Sequence, residues 1–322
     1  MTYAFTLLQQ VLVMFLLAGI GFLMYRFKKI SDEGSKALGN LLVYCSLPCV
    51  IVNGLITERT PEKLIGFGIS ALCAAAVLLC AVLISRLVLG RHAIDNFAGS
   101  FSNPGFFGVP LITAILPEGS VFFIAAYIAL LNLSQWTYGV TLLQQSGPDG
   151  LIPARGEKKG RSGFSVSAIL KKLFTAPFMI AILIGMFLFL TQLQLPVVIT
   201  RCVTFTANLN TPLAMFTVGI YLAQADLKGM FLKKRLYLVT LVRMVLCPAA
   251  AILLLSLVPA AYADLRMAVL IAAACPVGSN IAVYAQLHDR DYRYAVETVI
   301  ISTLLSIVTM PLIVILAQFL WG

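Results

Sequence analysis

Two short strings of helix-breaking and polar residues carry most of the chemistry this sequence offers. The first is Ser102-Asn103-Pro104-Gly105-Phe106-Phe107-Gly108-Val109-Pro110, and the second is Cys275-Pro276-Val277-Gly278-Ser279-Asn280. Each lies in the middle of an apolar run, from about Ile94 to Pro117 and from about Asp264 to Leu287. Pro104, Pro110 and Pro276 have no backbone N–H to give to a helix. Gly105, Gly108 and Gly278 allow close backbone approach and unusual dihedrals. The spacing therefore predicts two pairs of half-helices, each pair separated by an unwound stretch. A half-helix that begins there presents N–H groups and partial positive charge, which holds a carboxylate without a lysine or arginine. Asn103, Asn280 and Ser279 add side-chain donors and acceptors beside the freed backbone. Phe106 is part of the same candidate wall.

These strings must be positioned by a membrane-embedded frame. The chain has 322 residues, of which 60% are hydrophobic and 11% charged, against about 25% charged in a soluble domain. The mean hydropathy is +0.97. Apolar runs of spanning length are read at about 5–26, 34–56, 64–89, 94–117 and 119–143, and again at about 173–192, 196–222, 234–258, 264–287 and 292–319. Between the two sets lies a polar, basic stretch over 144–172. The expected organisation is a first five-helix repeat over 1–143, a cytoplasmic linker over 144–172, and a second repeat over 173–322. Five is odd, so the second repeat is inverted relative to the first. The fold class is an all-α polytopic membrane protein of about ten transmembrane helices, with helices 4 and 9 broken. Broken helices in lipid survive where they line a protein-walled cavity. A matched pair in the two halves points to the substrate site of a secondary transporter. The plainer alternative is a pair of kinks packed against neighbours.

Lysine and arginine set the orientation. The loops on one side hold 18 of them, and those on the other hold only Arg59, Lys63, Arg201 and Arg266. Both termini are expected outside, with the linker in the cytoplasm of a cell-membrane protein. The first apolar run has no basic residue before it and Arg26, Lys28 and Lys29 after it, the reverse of a cleavable signal. The net charge of +10 is spread over loops without an aromatic-interleaved basic face. It fits topology and anionic headgroups, and nucleic acid is not an expected partner. All seven cysteines fall in apolar runs and read as buried free thiols, with no metal-site spacing. His92 and His288 stand in separate loops. No phosphate-binding loop, zinc signature or catalytic triad appears, so neither an enzyme nor a cofactor is expected, and transport is secondary or passive.

A few further positions are candidates. Asn132 and Gln135 lie one turn apart in the fifth span and offer polar wall groups. Arg243, deep in the eighth span, needs a partner or water. It has three readings: neutralising a substrate carboxylate, pairing with Glu297, or snorkelling towards the cytoplasm. Glu297 is the carboxylate best suited to proton coupling, unless it is simply solvated. Pro48 in the second span and Asn208, Asn210 and Pro212 in the seventh form a second matched set of helix interruptions flanking the site.

Taken together, Gly105 to Pro110, Ala274 to Asn280, Ser302 to Ser306 with Pro311, Leu38 to Pro48 and Arg243 to Pro248 resemble the auxin efflux carrier family. That family includes plant PIN carriers and bacterial permeases linked to malate or malonate. The resemblance covers essentially the whole chain. It implies ten spans in two inverted repeats with the fourth and ninth helices crossing. It also implies a homodimer held by the first, second, sixth and seventh helices, and an elevator motion of the other six that carries an organic anion. The family's first break usually reads Pro-Asn-Thr-Gly-Phe, whereas here the proline stands two places later, at Pro104. The third span has no Asp and Lys pair of the kind plant carriers use, which weakens the carry-over of auxin as substrate. The function expected is a secondary carrier for a small organic anion, a carboxylate above all. The alternatives are a sodium-coupled or proton-coupled crossover symporter or antiporter, and behind them a channel or membrane sensor.

Overall fold

The computed structural model describes residues 2–117, 119–147, 150–152, 175–225 and 227–321. Among these residues every named element is helical. The first half contains α1 (Thr2–Arg26), α2 (Asp32–Leu41), α3 (Leu47–Leu55), α4 (Pro61–Leu89), α5 (Ala93–Ser100), α6 (Val109–Ile115), α7 (Ala125–Ser134) and α8 (Val140–Gln145). The second contains α9 (Pro177–Thr191), α10 (Val197–Asn208), α11 (Asn210–Gln224), α12 (Leu227–Phe231), α13 (Lys234–Leu241), α14 (Cys247–Leu255), α15 (Ala263–Ala274), α16 (Asn280–Leu287) and α17 (Tyr292–Trp321).

Among the described residues, six helices are long and apolar enough to cross a membrane: Phe5–Arg26, Asp32–Leu55, Pro61–Leu89, Ser120–Gln145, Lys234–Leu255 and Tyr292–Trp321. Pro104–Ile115 and Pro177–Thr191 are shorter apolar helices. The outer surface carries large apolar side chains such as Leu72, Leu87, Val198, Phe205, Leu257 and Phe319, all strongly exposed. Such a surface is stable against lipid and would be a liability in water. The chain is a multi-pass membrane protein.

Several long helices are joined through widened π-helical turns. These lie at Leu42–Ser46 between α2 and α3, Gln135–Gly139 between α7 and α8, and Val242–Leu246 between α13 and α14. The first and third are followed directly by Leu47-Pro48 and Cys247-Pro248. A proline cannot donate to the carbonyl four residues back, and a wider turn accommodates the loss. The run expected over 196–222 is two helices that meet at Leu209.

α1 packs along α11 at backbone distance. A Cβ on Gly219 would strike the Ala18 carbonyl, and one on Gly21 would strike the Phe216 carbonyl. Small residues permit this close approach between helices in lipid, where van der Waals contact replaces the hydrophobic drive. α3 lies against α9 and α10, and α4 against α5, α7 and α14. The broken segments sit inside this shell: α5 and α15 are buried along nearly their whole lengths.

One expectation needs correction. Only Cys247 and Cys275 are buried; Cys45 and Cys202 are exposed, and Cys49, Cys73 and Cys80 are intermediate. In lipid an outward-facing thiol costs little, so an apolar run does not by itself predict burial within the protein. Most of the linker over 144–172 lies outside the described residues, and its described start is held by backbone hydrogen bonds. The Ile152 N–H donates to the Arg91 carbonyl (2.7 Å) and the Ala93 N–H to that of Gly150 (3.0 Å).

Candidate functional site

α5 ends at Ser100, and the chain runs extended through Phe101 before the π-helical turn Pro104–Gly108 starts the rising helix that continues as α6. α15 ends at Ala274, and the chain resumes as a helix at Asn280. The two interruptions meet. Ser102 and Val277 form an isolated antiparallel bridge, and the Gly278 N–H donates to the Phe101 carbonyl at 3.0 Å. The Val277 N–H donates to the Ser302 hydroxyl of α17 at 3.0 Å. Freed backbone groups in one break are thus satisfied by the other break and by α17, as a dry interior requires. Gly278 is required for the approach, because a Cβ there would lie 2.9 Å from the Ser102 carbonyl oxygen.

The first break supports itself and leans on α11. The Asn103 Oδ1 accepts from the Phe106 N–H (3.4 Å), capping the turn that follows. The Nδ2 of Asn210 donates to the Gly105 carbonyl at 3.1 Å. Ser102 shares a hydrogen bond with the hydroxyl of fully buried Tyr127 on α7 (3.2 Å). Asn103, Pro104, Gly105 and Phe106 are all buried.

At the second break, Pro276, Gly278 and Ser279 are buried and Asn280 is partly exposed. The Nδ2 of Asn280 donates to the Oε1 of Gln135 at 3.0 Å. Gln135 opens the π-helical turn after α7, is fully buried, and its Nε2 has no hydrogen-bond partner. That orphan donor stands 3.5 Å from where a Gly278 Cβ would sit. A buried N–H without an acceptor is costly, so this amide is suited to a guest with acceptor oxygens.

Arg243 lies in the third π-helical turn and is 1% exposed. Its Nη1 donates to the carbonyls of Gly99 (3.2 Å) and Ser100 (3.1 Å). Its Nη2 donates to the Ala273 carbonyl. The guanidinium therefore joins the C-terminal ends of α5 and α15. The expected Arg243–Glu297 pairing does not occur: both Glu297 oxygens accept from Lys233, at 2.6 and 2.8 Å. Burial beside two carbonyl-rich helix ends keeps Arg243 from reaching either Glu297 or the surface. A second ion pair ties Arg235 to buried Asp95 on α5, and the Tyr294 hydroxyl donates to the other Asp95 oxygen at 2.8 Å.

The remaining expected residues divide. Asn132 turns its Nδ2 back to the Ile128 carbonyl of its own helix (2.8 Å), so that donor is occupied. Asn210 is buried against the first break, whereas Asn208 is exposed at the end of α10. Pro48 and Pro212 are half-buried near the starts of α3 and α11. Sequence reading missed Tyr127, Lys233, Tyr294 and the Ser302 contact to Val277. Periodicity carries no signal for partners on other spans, although Ser302 lies in one of the quoted motifs.

The family model described as membrane transport protein matches residues 6–314. A Rhizobium meliloti (strain 1021) protein described as "Putative malonate transporter" is 24% identical over 304 residues, covering 90% of each chain. Both matches span the two breaks, and the family is one of transporters rather than enzymes. With its interrupted helices, apolar shell and whole-length match, this chain belongs to the membrane transport protein family, the auxin efflux carrier group that its motifs resemble.

Proposed function

We propose that this chain is a secondary carrier that moves a small organic anion, with one or more carboxylates, by alternating access around the paired breaks. The observation that carries the reading is the Ser102–Val277 pairing, with Asn103, Gln135 and Asn280 gathered at its edge. Two half-helices begin there, and helix starts favour anions. The unpartnered Gln135 Nε2 supplies a side-chain donor. The relative described as a malonate transporter supports a dicarboxylate as first probe. Asn103, Phe106, Ser279, Gln135 and Asn280 contact the substrate in this reading. Pro104, Gly105, Pro276 and Gly278 keep the backbone open. Pro48, Asn210 and Pro212 shape flanking helices, with Asn208 and Asn132 outside the contact set.

The reading extends to ten spans in two inverted repeats over 1–143 and 173–322. The shorter pieces α5 with α6, α9, α10 with α11, and α15 with α16 complete the six long spans. The termini lie outside and the basic linker lies in the cytoplasm. A homodimer built on the α1–α11 side holds the frame, while the broken helices travel as an elevator. Glu297 and Asp95, both ion-paired, are the acidic groups that a coupled proton would reach.

The test is uptake of labelled malonate into proteoliposomes. The expected outcome is saturable flux that Asn103→Ala and Asn280→Ala each abolish while the proteins remain folded. Full flux in both variants overturns the site. Single-channel conductance far above carrier turnover would make the protein a channel. A C-terminal reporter that reads cytoplasmic would overturn the even span count.

A further inference from the structure

We infer that Arg243 is a built-in cation of the crossing. It takes the position that a coupling cation would need, and it biases the site towards anions. Four helix ends converge at the two breaks. Two are C-terminal, at Ser100 and Ala274, and carry partial negative charge; two are N-terminal, at Pro104 and Asn280, and carry partial positive charge. An uncompensated crossing of this kind attracts a cation to the carbonyl side and an anion to the N–H side. Here the carbonyl side is already occupied. Arg243 donates to Gly99, Ser100 and Ala273, which spans both C-terminal ends with one fork.

Among the described residues the guanidinium has no carboxylate within ion-pair distance. Among the described residues the two ion pairs are Lys233–Glu297 and Arg235–Asp95, and neither includes Arg243. A fully buried arginine with carbonyl partners alone is costly in a membrane interior, so it must be balanced by the fields of the helix ends it joins. The negative ends are thereby neutralised and the positive ends are not. The crossing keeps a net attraction for an anion, and the three carbonyls that Arg243 holds are not free for sodium. Arg243 is also a mechanical link. It rises from the turn between α13 and α14 and holds α5 to α15, so the two breaks move as one body. It acts through these helix ends and not by touching substrate; it is a positioning and selectivity residue. The anion half of this inference rests on the function proposed above.

The experiment uses the full chain. Malonate flux into proteoliposomes is compared in sodium, potassium and choline chloride at equal ionic strength, and is expected to agree within about twofold. Arg243→Ala is expected to lower flux roughly tenfold or more. Added guanidinium should restore a large part of it, and isosteric, uncharged urea should not. Arg243→Gln retains a donor without charge and stands in if the alanine variant does not purify. It should show the same loss, and any residual flux should become stimulated by alkali cations. Melting of the detergent-purified variant gives a readout independent of transport: low-millimolar guanidinium should raise the midpoint and urea should not. Strict sodium dependence of the wild-type protein overturns the inference, as does equal rescue by urea or full flux in both variants. If wild type carries no malonate, the substrate reading fails, and the melting comparison alone decides the role of Arg243.

Discussion

The two breaks look alike in sequence and are held in different ways. The first is secured from within and from the frame: Asn103 caps its own turn, and Asn210 of α11 holds the Gly105 carbonyl. The second is secured by its counterpart: Gly278 donates to Phe101, Val277 faces Ser102, and Asn280 reaches across to Gln135. Its backbone partners are thus the other break and Ser302 of α17. One break is a fixed support and the other is shaped by it. A pair built in this way transmits a shift of either member directly to the other, because few side chains intervene.

The largest effect should come from the glycines. Gly278→Ala forces a Cβ to 2.9 Å from the Ser102 oxygen, a backbone atom that cannot move alone. We expect a loss of about 2 kcal/mol in stability and near-complete loss of flux. Gly105→Ala meets only Leu47 side-chain carbons, at 3.2 and 3.5 Å, which can rotate away. It should stay within about 1 kcal/mol of wild type in thermal or denaturant unfolding. Equal damage at both glycines would erase the distinction between the breaks.

A smaller difference is expected at the asparagines. Asn280→Ala leaves buried Gln135 with both amide atoms unpartnered, at a cost of about 1–3 kcal/mol. Asn103→Ala removes one long cap bond of 3.4 Å and should cost less, about 0.5–1 kcal/mol. Replacing Gln135 by leucine together with Asn280→Ala should recover most of the lost stability but none of the flux, because removing both partners leaves less unsatisfied. Recovery of transport in that double variant would remove both residues from the site.

Below these comes Asn210→Ala. It strips the Gly105 carbonyl of its donor but also removes the buried, unpartnered Oδ1 of Asn210, so the net cost should be about 1 kcal/mol. Its sharper readout is the affinity for malonate, which should weaken as the first break loosens. Neutralising the Lys233–Glu297 pair as a whole, Lys233→Ala with Glu297→Gln, should change stability least, by roughly 0–1 kcal/mol, because the lysine is 44% exposed and no charge is left stranded. Lys233→Ala alone leaves the buried Glu297 carboxylate without its partner and should cost more.

Apolar runs, proline and glycine placement, and the scarcity of charge were enough to read the membrane class, the long helices and the two interruptions. They were legible because each depends on local chemistry: hydrocarbon length for a span, a missing N–H for a break. Arg243 was legible as a residue in need of partners, but its partners were not. Glu297, the nearest carboxylate candidate in the sequence argument, is taken by Lys233, and the arginine finds backbone oxygens on two other segments instead. Asn208 and Asn210 looked equivalent on paper, yet the turn at Leu209 buries one and exposes the other.

By itself, then, the sequence determined that the chain lives in lipid, where it must break its helices, and which polar residues stand at the breaks. The tertiary structure decided what those breaks face. The antiparallel approach of Ser102 to Val277, the hand-off from Asn280 to Gln135, and the bridge from Arg243 to two helix ends all join residues more than a hundred positions apart or on separate spans. Backbone periodicity records which face of a helix is apolar. Which distant carbonyl meets a buried donor depends on how the helices pack, and that information is spread over the whole chain.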